Sequence, residues 1–149
     1  MMKPLVHSLS FVLVIFLVLA SLSCSESNKG DMDKALAAYE RGDFPVALNE
    51  FRILARNAGN AEAQLKLGEM YFLGEGVAKD YAKARYWYVI AAKNGMVEAE
   101  YKLGVIYEKG YGARQDATKA ANWFRLAAQQ GHALAQRSLD PLRHATAQP

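Results

Sequence analysis

Along residues 61–73 the apolar side chains Ala63, Leu67, Met70 and Tyr71 return at three- and four-residue intervals, and along 81–93 Ala84, Tyr88 and Ala92 do the same. A recurrence near 3.6 residues places these side chains on one face of a helix, so the pattern predicts two helices joined by a turn. The turn is written in glycine: Gly74 and Gly76 follow the first stretch, where a left-handed residue lets the chain leave a helix without a Cβ clash. Asp80 then stands where a carboxylate can accept the free N–H groups that open the second helix, and Gly95 ends that helix.

The whole pattern then recurs. Residues 61–96 align without a gap on residues 97–132, and 15 of the 36 positions are identical. Gly110, Gly112, Asp116 and Gly131 repeat the turn and the helix ends. A period of this length signals a solenoid of stacked units, none of which can bury its apolar face alone. Such a stack presents an extended surface rather than a chemical pocket, which points to binding before catalysis. Gly68 and Gly104 sit inside the first helix of each unit, where glycine costs about 1 kcal/mol relative to alanine. A cost paid twice implies a packing reason, and the indole of Trp87 or Trp123 is expected against the glycine of a neighbouring helix.

The shared pattern A-x-x-x-L-G-x-x-Y-x-x-G-x-G-x-x-x-D-x-x-K-A-x-x-W-Y/F-x-x-A-A-x-x-G resembles the Sel-one-like repeat, the longer cousin of the tetratricopeptide repeat. Upstream, Ala35 to Phe51 looks like a shorter, tetratricopeptide-like unit without the Gly-x-Gly insertion. Downstream, Ala133 to Leu139 repeats the start of a first helix and then meets Pro141, which disfavours continuing it. The resemblance covers roughly residues 31–140. It implies an all-α fold, an α-solenoid of antiparallel helix pairs coiled into a right-handed superhelix. The expected division is 31–60 a degenerate repeat, 61–96 and 97–132 full repeats, and 133–149 a capping helix and tail.

The first 23 residues are a different kind of sequence. Lys3 and the amino terminus supply positive charge, Phe11 to Ala20 is an unbroken apolar run, and Ser21 and Ser23 follow. The run suits a signal peptide and is short of the ~20 residues a membrane-spanning helix needs. Export to the periplasm or outer membrane is the expectation, with 24–30 a polar tether. Cys24, the one cysteine of the chain, sits where a bacterial lipoprotein precursor would be cut and acylated. Ser23 fits such a site, whereas Ser21 stands where leucine is usual, so conventional cleavage and an uncleaved anchor stay open beside lipidation. The lipid at Cys24 would be the chain's one link to a membrane. One cysteine allows neither an internal disulfide nor a thiolate-rich metal site.

Removing Lys3 leaves 17 basic and 15 acidic side chains, about +2, scattered without a cluster of the kind nucleic acid requires. Nucleophilic catalysis needs an activated Ser, Cys or Lys. Beyond the signal the serines are Ser25, Ser27 and Ser138, all near the ends, and the histidines are His132 and His144. No H-E-x-x-H or P-loop motif occurs, and the Gly-rich turns lead to Asp80 and Asp116 rather than to Gly-Lys-Ser/Thr. No enzyme, cofactor, metal or nucleic acid is expected.

In arrays of the resembled kind the first helix of each repeat lines the concave surface. The resemblance thereby assigns Glu62, Leu65, Glu69, Phe72 and Leu73, and one repeat later Glu98, Tyr101, Val105, Glu108 and Lys109, to a groove. Apolar and aromatic side chains mixed with carboxylates suit a peptide or protein partner with apolar anchors and some positive charge. The resemblance implies a non-enzymatic scaffold or adaptor of the bacterial cell envelope. The alternative is binding, or slow hydrolysis, of β-lactam or peptidoglycan fragments, as proposed for cysteine-rich relatives.

Overall fold

A computed structural model describes residues 32–57 and 59–145. Among them lie seven helices and no strand: α1 (32–40), α2 (Phe44–Asn57), α3 (Ala61–Leu73), α4 (Tyr81–Lys93), α5 (Val97–Lys109), α6 (Ala117–Gln129) and α7 (Ala133–Ala145). Each helix from α2 onward packs on the next, and α5 also touches α7. This is the all-α solenoid of helix pairs that the repeat implies.

The helix ends follow from the residues named above. Asp80 Oδ1 accepts the Lys83 N–H at 2.9 Å and Asp116 Oδ1 accepts that of Lys119 at 2.9 Å. Those bonds draw both carboxyls below the ordinary aspartate range, even with some desolvation opposing them. Gly74 and Gly110 close α3 and α5 in the left-handed region, donating to the carbonyls of Met70 and Ile106. The loop then doubles back, so that the Asp80 N–H reaches the Tyr71 carbonyl and the Asp116 N–H the Tyr107 carbonyl, both at 2.9 Å. The second glycine of each loop is pressed on the preceding second helix: a Cβ on Gly76 would lie 2.7 Å from Phe44 Cβ, and one on Gly112 2.7 Å from Tyr81 Cβ. That shared contact fixes the register of the short N-terminal unit, with Phe44 of α2 equivalent to Tyr81 of α4.

Three buried clusters follow one another along the stack. The first joins α1, α2 and the inner face of α3 around Phe51, Leu67 and Met70. The second joins α3, α4 and α5 around Tyr88, Leu103 and Ile106, and the third gathers Phe124, Ala135 and Leu139. Trp87 packs against both the first and the second, and so makes one continuous core of them. Each large apolar side chain so buried stabilises the fold by roughly 1.5–3 kcal/mol.

The helical glycines have the expected kind of reason but a different partner. It is Tyr88, not Trp87, that lies over Gly68, where a Cβ would come within 2.4 Å of the ring; Phe124, not Trp123, lies over Gly104 at the same distance. Neighbouring helix positions point about 100° apart. That rotation sends the aromatic one residue later into the glycine notch and leaves both indoles half-buried, Trp87 between the first and second clusters and Trp123 against the second. Pro141 also departs from expectation, because α7 runs through it to Ala145. Pro141 and Arg137 are both exposed, so water can take the Arg137 carbonyl that the proline cannot serve.

A polar bridge recurs at the edge of the core, where the buried Gln64 and Glu100 meet the exposed Asn94 and Gln130. Asn94 Nδ2 donates to Gln64 Oε1 at 2.8 Å, and Gln64 Nε2 donates to the Ala55 carbonyl at 3.3 Å. One repeat later Gln130 Nε2 donates to Glu100 Oε2 at 2.8 Å. Burial pushes the Glu100 carboxyl above its ordinary range, and the bond from Gln130 offsets part of that.

Candidate partner-binding groove

The first helices α3 and α5 lie side by side, and between them opens a cavity of about 280 Å³. Its apolar wall is Phe72 and Leu73 from the end of α3 with Tyr101 and Val105 from α5. Glu69 and Lys102 stand at its edge, and Tyr88 reaches it from α4. Leu73 is 52% exposed and adjoins the partly exposed Tyr111 through Phe72. Phe72, Tyr81 and Tyr111 pack edge-to-face and stacked with centroids 5.0–5.4 Å apart, so the rim of the groove is a rigid aromatic cluster.

Tyr88 closes the floor. Its ring is wedged on Gly68 and the residue is 2% exposed. Burial, followed by the charges of Glu69 and Glu98, drives its hydroxyl far above the usual phenol range, so it stays a proton donor at any physiological pH. The equivalent residues Phe51 and Phe124 carry no hydroxyl. Tyr101 is held from behind by His132, whose ring stacks on it at 4.6 Å. His132 also caps α7: its Nδ1 accepts the Ala135 N–H at 3.2 Å. That leaves the proton on Nε2, which donates to Glu98 Oε2 at 2.8 Å. Burial opposes ionisation of Glu98, but His132 and Lys102 outweigh it and hold the carboxyl below its ordinary range.

Of the ten residues assigned to the groove, Glu69, Phe72, Leu73, Tyr101 and Val105 line this cavity. Leu65 is buried at 7% in the second core cluster and is a packing residue, because α4 and α5 close over its side of α3. Glu62 is exposed at the start of α3, and Glu98, Glu108 and Lys109 lie outside the cavity. The charge also differs from the sequence reading. Glu69 pairs with Lys66 at 2.9 Å, Glu98 with Lys102 at 3.2 Å and Glu108 with Lys109 at 3.1 Å. Three of the four assigned carboxylates are thus paired within their own helices, Glu62 having no ion pair among the described residues, and what the cavity offers is apolar and aromatic surface with the hydroxyls of Tyr88 and Tyr101. Tyr88 and Lys102 were not legible as groove residues, although the i,i+4 spacing of Glu98 and Lys102 is a pairing signal.

Among the described residues no group of three or more His, Cys, Asp or Glu side chains could hold a metal ion, and no helix is long and apolar enough to cross a membrane. Residues 1–23 and Cys24 lie outside the described residues.

The family model for the Sel1 repeat matches residues 61–96 and 97–132. The chain carries two Sel1 repeats. Its fold is similar to the crystal structure of a Sel1 repeat protein from Oxalobacter formigenes, at 33% identity over 70% of this chain and 43% of that one, with a TM-score of 0.66. It is similar also to a protective antigen of uropathogenic Escherichia coli displaying an SLR fold, at 37% identity over 80% of this chain and 26% of that one, with a TM-score of 0.71. The chain thus spans less than half the length of either. Among curated proteins none matches it significantly. Sel1-repeat proteins generally act as scaffolds for protein interactions, and the fold is typically non-enzymatic.

Proposed function

We propose that this chain is a non-enzymatic adaptor of the bacterial cell envelope that holds a peptide or protein partner in the groove between α3 and α5. The observation that carries the reading is the cavity itself. Residues of two successive repeats build its apolar wall, and Leu73 is left exposed beside a preordered aromatic rim. Buried aromatic anchors beside an unfilled apolar notch are what interface hot spots are made of. Because Glu69, the carboxylate of the cavity, already has a cation in Lys66, the partner contributes an apolar anchor rather than a basic one. The signal-like segment supports an envelope location, and acylation at Cys24 would supply a tether.

The test is co-purification from crosslinked cells with the full-length tagged protein, its Leu73→Glu variant, and Leu134→Glu as a control. Leu134 is also about half exposed but lies on α7, outside the groove. A partner retained by the native chain and the control and lost with Leu73→Glu is expected. Equal recovery with all three would remove the groove from the account.

A further inference from the structure

A second cleft, of about 640 Å³, shares no residue with the groove and has the opposite character. It lies where α4 meets the loop that leads from α5 into α6. Its walls carry Arg85, Arg114 and Lys119 together with Tyr107, Gln115 and Asp116. In the groove the one lining carboxylate, Glu69, is matched by Lys66 of its own helix; here two of the three cations have no counter-ion. No hydrogen bond or ion pair among the described residues engages the guanidinium of Arg85 or of Arg114, and Arg85 Nε is out of reach of solvent with no acceptor. The lone carboxylate, Asp116, is already occupied by the Lys119 N–H and the Lys119 ammonium, at 2.9 and 3.3 Å.

The fold does not require this arrangement. One repeat earlier, in the register set by Gly76 and Gly112, Leu48 stands in place of Arg85 and Ala78 in place of Arg114. Leu48 is buried in the core there. Tyr71, the counterpart of Tyr107, has its hydroxyl filled by Arg52 Nη2 at 2.8 Å. At the later level Val89 replaces that arginine, so the Tyr107 hydroxyl has no hydrogen-bond partner among the described residues. The same architecture is thus self-satisfied at one level and at the next is left with two unpaired guanidinium forks, an ammonium and a free hydroxyl around open space. A guanidinium presents its N–H groups as a planar fork that matches the oxygens of a phosphate two at a time.

We infer that this cleft is a binding site for a phosphate group, held by Arg85 and Arg114 with Lys119 adding charge and the Tyr107 hydroxyl a further hydrogen bond. The phosphate can belong to a soluble molecule or to a lipid headgroup, and the experiment separates the two sources. The full-length chain is titrated with inorganic phosphate at constant ionic strength while its arginine and backbone NMR signals are followed. In parallel it is floated with vesicles of phosphatidylcholine alone or mixed with phosphatidylglycerol. Saturable shifts at Arg85, Arg114 and Lys119 are expected. In Arg85→Gln/Arg114→Ala, shown folded by circular dichroism, phosphate affinity should fall about tenfold or more, as expected for losing charge-assisted bidentate bonds. Arg114 is exposed, so Arg114→Ala alone serves if the double variant does not fold. Arg125→Ala, which alters an exposed arginine outside the cleft bonded to Asn122, should change nothing. Capture by anionic vesicles that the variants lose assigns the phosphate to a lipid, and phosphate saturation without vesicle preference assigns it to a soluble ligand. No saturable phosphate response together with no preference for anionic vesicles overturns the inference. So does a response that the arginine variants leave unchanged.

Discussion

Residues 61–96 and 97–132 are built on the same steric plan and differ in what they do with their polar groups. Both wedge an aromatic ring of the second helix into a glycine notch of the first, Tyr88 on Gly68 and Phe124 on Gly104. Both open the second helix with an aspartate. The position that opens the first helix, by contrast, is Asn60, then Met96, then His132: an amide cap, no side-chain cap and an imidazole cap. The polar bridge at the edge of the core is neutral in one repeat, Gln64 with Asn94, and ionisable in the next, Glu100 with Gln130. The shared positions are those where volume or backbone geometry admits one answer. The divergent ones are those where several side chains satisfy the same group or where, as at Met96, none does.

The comparison breaks first at the notch. Gly68→Ala and Gly104→Ala should each destabilise the protein by about 2–3 kcal/mol, since a fully buried ring cannot withdraw from an added methyl. Urea denaturation followed by circular dichroism reads this directly, and equal losses in the two repeats would show that the notch works alike in both. A loss near zero in either would mean the ring has somewhere else to go.

The caps come next. His132→Ala removes the acceptor for the Ala135 N–H and should cost about 1 kcal/mol, while His132→Asn, which restores the cap used at Asn60, should recover most of it. If the two variants unfold at the same urea concentration, His132 contributes through its stack on Tyr101 or its bond to Glu98 and not as a cap.

The smallest effect erases the difference between the bridges. Burial raises the Glu100 carboxyl in the folded chain, so its contribution to stability is fully present below the unfolded carboxylate pKa and is lost as pH rises through the folded value. Glu100→Gln keeps the acceptor for Gln130 and removes the charge. It should therefore stabilise the protein at pH 7 by about 0.5–1 kcal/mol, with the gain vanishing below the acid range in which Glu100 is already protonated. Melting curves at neutral and acid pH measure it, and a gain that persists in acid would place the cause elsewhere.

The sequence was most legible where the backbone itself is constrained. The Gly-x-Gly turns, the aspartate caps and the 36-residue period could be read because each follows from one residue's own geometry. The glycine notch was legible as a notch, but Trp87 and Tyr88 are adjacent and both aromatic, and only the rotation of α4 decides which one enters it. Leu65 looked like a groove residue for the same reason: its place on α3 is local, and its burial depends on where α4 and α5 come to lie. Arg85 and Arg114 are 29 residues apart in the chain and no local spacing links them. The groove and the cleft are therefore products of stacking, and the residues that make them can change while the stack stays fixed.

The contacts of Gly76 on Phe44 and of Gly112 on Tyr81 have a genealogical consequence. Each loop carries its own seat for the unit before it, and each second helix presents the same backbone step to the unit after it. A duplicated 36-residue segment therefore arrives with both halves of the joint, and an array can lengthen or shorten by whole units without a compensating change in its neighbours. An insertion of one or two residues between Gly74 and Asp80 has no such freedom, because it would lift the glycine off its step and uncouple two levels of the stack. Natural variation in such arrays should accordingly be counted in whole repeats.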